Sequence, residues 1–98
     1  MMTNKKRRVE TELGVLMIRN MATVMERQRE ARGMGKVEFA KFCGITAPSY
    51  LTFLDGTANP TLYMITRISD ALSVTVHELL FGHSREGSKK TRVAPESD

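Results

Sequence analysis

Residues 36–56, KVEFAKFCGITAPSYLTFLDG, read as two short amphipathic helices joined by a turn too tight for most residue types. In the first half, Val37, Phe39, Ala40 and Cys43 recur at helical spacing while Lys36, Glu38 and Lys41 point the other way, which predicts a helix with one apolar face. Gly44 ends it, because glycine accepts a positive φ without a Cβ clash. Ile45 then turns back toward the core, and Thr46 offers a side-chain oxygen to cap the next helix. Pro48 suits the first turn of that helix, where its missing N–H is no loss. Tyr50, Phe53 and Leu54 form an apolar stripe spaced by three and four before Asp55-Gly56 stops it. Two helices held at a steep angle by so short a turn make a helix-turn-helix, whose second member fits the size of a DNA major groove.

Upstream, nothing between Val9 and Arg32 breaks a helix except Gly14, and Leu13, Leu16, Met17, Met21, Val24 and Met25 trace a broad apolar stripe. Glu10 and Glu12 near its start and Arg27, Arg29 and Arg32 near its end follow the polarity that the helix dipole favours, and Gly33 supplies the stop. A methionine-rich stripe is first of all core material. One this long exceeds what a small core covers, so residues 9–25, with Leu13, Leu16, Met17 and Met21 foremost, are expected to pair with a second copy of the chain. Ahead of the helix, Lys5, Lys6, Arg7 and Arg8 make residues 1–8 a flexible basic arm, suited to DNA phosphates or simply to solvating the terminus.

Downstream, Thr57-Ala58-Asn59-Pro60 make a loop, and Thr61 can cap a fourth helix whose buried face is Leu62, Ile65, Ile68, Ala71 and Leu72. Thr61, Tyr63, Thr66, Arg67 and Asp70 form its polar side. Thr75 followed three residues later by Glu78 matches a capping box for a last short helix through Phe81, which Gly82 ends. Residues 83–98 lack periodicity and read as a disordered tail, leaving 9–82 as the folded domain. The expected class is all-α: a compact five-helix bundle containing the helix-turn-helix, with an extended N-terminal helix.

The run from Met34 through Leu80 resembles the helix-turn-helix domain of lambdoid phage repressors, Cro proteins and their plasmid and restriction-controller relatives, the Xre type. Phe39-Ala40, Gly44-Ile45-Thr46, Phe53, Gly56, Asn59-Pro60, and the set Leu62, Ile65, Ile68, Ala71, Leu72, Val74, Thr75, Leu79 and Leu80 carry the resemblance. Lys36 stands where relatives usually carry a phosphate-touching glutamine. Leu54 stands where many carry a glutamate that pairs with an arginine, so Arg29, the counterpart arginine here, is expected to turn to Asp55 instead. The resemblance implies a dimeric, sequence-specific repressor of a phage, plasmid or other mobile element, reading a near-palindromic operator. An alternative keeps the fold but uses the surface of Ser49 and Tyr50 to bind protein, as an antitoxin or anti-repressor would.

Length and composition set bounds: 98 residues with 41% hydrophobic and 27% charged content suit one small globular domain. Such a chain buries only roughly 60 to 68% of its unfolded surface, which gives dimerisation a thermodynamic motive. The single Cys43 permits no internal disulfide and reads as a small core residue. His77 and His83 lack ligand spacing, so no metal site is expected. No apolar run approaches the roughly 20 residues that cross a bilayer, and no signal-peptide core is present. A cytoplasmic protein without membrane, cofactor or evident small-molecule effector is expected. No phosphate loop, carboxylate pair or nucleophile elbow points to an enzyme.

The net charge of +4 is unevenly spread. Residues 1–36 carry nine basic and four acidic side chains (+5), residues 37–81 two and four (−2), and residues 82–98 four and three (+1). Attraction for phosphate therefore falls to the arm, to Lys36 and Lys41, and to Asn59 in the loop. Base contact falls to Thr46, Ala47, Pro48, Ser49 and Thr52, whose hydroxyls and small apolar groups suit base edges and thymine methyls but offer no arginine fork for guanine.

Overall fold

The computed structural model describes residues 11–82, so the arm with Lys5, Lys6, Arg7 and Arg8, the expected helix start at Val9 and the tail at 83–98 lie outside the described residues. Five helices and no strands make up this part: α1 Glu12–Ala31, α2 Lys36–Cys43, α3 Ala47–Asp55, α4 Leu62–Leu72 and α5 Val76–Phe81. The expected all-α helix-turn-helix bundle with a long first helix is what forms.

Threonine opens four of the helices. The side-chain oxygens of Thr11, Thr46, Thr61 and Thr75 accept hydrogen bonds from the backbone N–H groups of Gly14, Ser49, Met64 and Glu78 at 2.9, 3.1, 3.0 and 2.9 Å. Each such cap satisfies a donor that the helix leaves without an internal partner and contributes about 1 kcal/mol. At Thr75 the box closes, since Glu78 accepts in return from the Thr75 backbone at 2.9 Å. Thr11 is extended, with φ −97° and ψ 155°, and α1 starts at Glu12 directly after it.

The core draws on every helix: Met21, Val24 and Met25 from α1, Phe39, Ala40 and Cys43 from α2, Tyr50 and Phe53 from α3, Ile68 and Leu72 from α4, and Leu79 from α5. Phe39 and Tyr50 meet edge to face with ring centroids 5.5 Å apart, joining α2 to α3. α1 packs against both α3 and α5, and the Asn20 amide donates to the Leu80 carbonyl at 2.9 Å, pinning the end of α5 to the middle of α1. Buried Ser69 donates its hydroxyl to the Val74 carbonyl, fastening the exit of α4 to the lead-in of α5.

Three expectations about burial are corrected. Met21, expected at a subunit interface, is fully buried, because it lies on the same inward stripe of α1 as Met25 and cannot meet a partner. Val37 and Leu62, expected on buried faces, are exposed. Each opens its helix, at the second residue of α2 and the first of α4, ahead of the turns that reach the core.

Candidate nucleic-acid interface

The turn between α2 and α3 forms as its residues dictate. Gly44 takes φ 79° and ψ 25°, its N–H donates to Lys41 O at 2.9 Å, and the Ile45 N–H reaches back to Ala40 O at 3.0 Å. Two of the carbonyls that the end of α2 leaves without a partner inside the helix, those of Ala40 and Lys41, are thereby satisfied. A Cβ at position 44 would collide with the Arg67 guanidinium, so an arginine from α4 lies directly over the turn. Arg67 also donates to the Tyr63 hydroxyl at 2.8 Å.

α3 is seated by its buried side. Tyr50 and Phe53 enter the core, and the Tyr50 phenol donates to the Glu26 carboxylate of α1. Glu26 is gripped in turn by Arg29, whose Nε and NH2 atoms donate to its two oxygens at 3.0 Å each while NH1 donates to the Met34 carbonyl at 2.8 Å. The Arg29 hydrogen bonds hold the Glu26 carboxyl below its ordinary range, against the opposing effect of burial, with smaller contributions from Tyr50 and the charge of Lys36. Burial first, then the hydrogen bond to Glu26 and the charge of its carboxylate, push the Tyr50 phenol upward. The acid that Arg29 engages is therefore Glu26, one helical turn away on α1, and not Asp55. Asp55 instead accepts from the backbone and hydroxyl of Thr57 at 2.9 and 2.6 Å, which lowers its pKa and closes the turn after α3.

The expected base-contacting residues divide. Thr46 and Pro48 are exposed at the start of α3, while Ala47, Ser49 and Thr52 are half-buried. The Thr46 oxygen is occupied as an acceptor by its capping bond and keeps its proton to donate, whereas Thr52 spends its proton on the Ser49 carbonyl at 2.6 Å and keeps acceptor capacity. Lys36, Lys41 and Asn59 are all exposed, on the first turn of α2, its last turn and the α3–α4 loop. Tyr50 has no exposed surface, so a protein-binding face built on Ser49 and Tyr50 does not exist as imagined.

Two residues escaped the sequence reading. Leu51 is 48% exposed on the outward side of α3, next to Thr52 and three residues past Pro48. It was findable as an apolar residue out of phase with Tyr50 and Phe53. Arg67 was not findable, because 23 positions separate it from the Gly44 turn that it covers. Another cation is placed by packing: the Arg32 guanidinium lies 4.6 Å from the centre of the Phe42 ring, at the junction of α1 and α2. Cys43 is buried, which pushes its thiol up to about 11 and leaves it without nucleophilic character at neutral pH. Among the described residues no cluster of three or more potential metal ligands occurs, and no helix is long and apolar enough to cross a membrane.

No protein-family model and no curated protein matches the chain. Its fold is similar to the crystal structure of a hypothetical transcription factor, NHTF, from Neisseria, with a TM-score of 0.61 over 86% of this chain and 98% of that one and a sequence identity of 24%.

Proposed function

We propose that this chain is a sequence-specific, double-stranded DNA-binding transcriptional regulator of the lambdoid repressor and Cro type. In this reading it is a dimeric repressor serving a phage, plasmid or other mobile element. The observation that carries the reading is the outward row of α3. Pro48 and Leu51 stand exposed on a helix whose other side is fixed by Tyr50 and Phe53, Thr46 stands exposed at its N-cap, and the cations Lys36 and Lys41 lie on the helix before it. Hydroxyl and apolar groups on such a row can contact base edges and thymine methyls, and flanking lysines can meet phosphates. The name of the similar Neisseria protein points the same way. With no arginine or lysine on α3, direct reading is modest, and DNA shape and phosphate contacts share the discrimination.

The test is a fluorescence-anisotropy titration of the purified protein with duplex from the region upstream of its own gene, against a scrambled duplex, across a salt series. Preference for the cognate duplex, with affinity falling steeply as salt rises, is expected. Equal weak binding to both sequences at every salt concentration would sink the proposal.

A further inference from the structure

Val15 and Leu16 are 43% and 41% exposed side by side on the first half of α1, while Leu13, 54% exposed, stands on a separate flank of the helix. The core-facing residues Met21 and Met25 lie on the opposite side of the same helix. Glu12, Val15, Leu16 and Arg19 form one continuous surface patch with Thr11. Glu12 and Arg19 are seven residues apart, so they point within about 20° of the same direction, two turns distant along the axis. An acid at one end, a base at the other and leucine and valine between them make a surface complementary to its own copy when the copy runs antiparallel. A two-fold axis passing between residues 15 and 16 sets each Glu12 opposite the other copy's Arg19 and brings Leu16 against Leu16.

We infer that the occupant of this face is a second copy of the chain, paired antiparallel along the first half of α1, with Val15 and Leu16 as the apolar seam and two reciprocal Glu12 to Arg19 ion pairs closing its ends. Like-charged residues meet in the parallel arrangement, which disfavours it. The pairing also sets a distance. α3 is tied to α1 at Glu26 through Tyr50, between ten and eleven residues from the axis. At about 1.5 Å per residue the two Glu26 levels stand about 32 Å apart, close to the roughly 34 to 36 Å between successive major grooves on one face of DNA. That match rests on the DNA-binding reading above; the pairing itself stands without it.

Sedimentation equilibrium of the full chain over a concentration series tests the pairing, with circular dichroism to certify helix content. The wild type is expected to dimerise reversibly. Leu16→Glu sets two carboxylates together at the axis and should give a folded monomer. Glu12→Arg alone should weaken association at least about tenfold, since symmetry repeats the like-charge contact, and Glu12→Arg with Arg19→Glu should restore most of it. Leu16→Cys should form a disulfide dimer under mild oxidation whereas Thr23→Cys, two turns farther out, should not; Cys43 is buried and does not compete. A monomeric wild type, a Leu16→Glu variant that still dimerises, a charge swap that restores nothing, or equal cross-linking at positions 16 and 23 would each overturn the inference. DNA titration of the same samples separates the two readings. A dimer that binds no DNA sinks the proposed function alone, and a monomer that binds its cognate duplex sinks the pairing, and the dimeric part of the proposed function with it, while the DNA-binding reading stands.

Discussion

The Tyr50 phenol donates to the Glu26 carboxylate across a sequence separation of 24 residues, and this bond sets where the outward row of α3 stands relative to α1. Glu26 is itself held by both nitrogens of an Arg29 fork that also caps the Met34 carbonyl, so three residues lock α3, α1 and the turn leading to α2 together. Bonds to a charged acceptor are the stronger kind, on the order of 1.5 to 3 kcal/mol each.

Tyr50→Phe keeps the buried ring and removes only this bond. Because Arg29 still satisfies Glu26, the loss should lie near the lower end, about 1 to 2 kcal/mol by urea denaturation. DNA affinity should fall as well, since α3 loses its tether. An unchanged midpoint would mean that packing of the ring alone seats the helix.

The same network gives stability a pH window. Glu26 titrates below its ordinary value of 4.5 in the folded state, so its contribution is present above that value and is lost as pH falls through the lowered one. Tyr50 titrates above its ordinary value of 10.0, so its contribution is complete below that value and is lost as pH rises past it. Denaturation midpoints should therefore hold a plateau between about pH 5 and pH 10 and fall on both sides. In Tyr50→Phe the alkaline decline should flatten.

Two backbone positions should respond with opposite signs. Gly44→Ala must hold an alanine at φ 79° and push Arg67 off the turn, a cost of about 1 to 2 kcal/mol. Ser73 closes α4 at φ 57°, a left-handed conformation that glycine adopts without strain, so Ser73→Gly should stabilise by about 1 kcal/mol. In a domain of this size each kcal/mol moves the thermal midpoint by roughly 4 to 8 °C. Calorimetry should show the two variants on either side of the wild type.

On the reading face, Thr46→Val, Leu51→Ala and Thr52→Ala should leave DNA affinity for scrambled duplex nearly unchanged while weakening the cognate complex by about 1 to 3 kcal/mol wherever a base is read. Thr46→Val also removes a cap, so its folding loss of about 1 kcal/mol must be measured alongside. If all three bind cognate duplex like the wild type, α3 is not the reader.

What the sequence determined by itself was local. Gly44, Thr46, Thr61 and the Thr75 to Glu78 box declare their turns and caps, because a positive φ or a capping bond is settled within three or four residues and needs nothing from the rest of the chain. The inward sides of the helices were legible for the same reason, through Met25, Phe39, Phe53 and Ile68. Only the tertiary structure decided how much of each stripe is covered. Phe39 and Ile68 are sealed while Val37 and Leu62 project, because coverage depends on where neighbouring helices end as well as on the helix's own period. It alone brought Tyr50 to Glu26 and Arg67 over Gly44, since a contact across more than twenty residues is chosen by the packing angle of two helices, and periodicity within either one carries no trace of it.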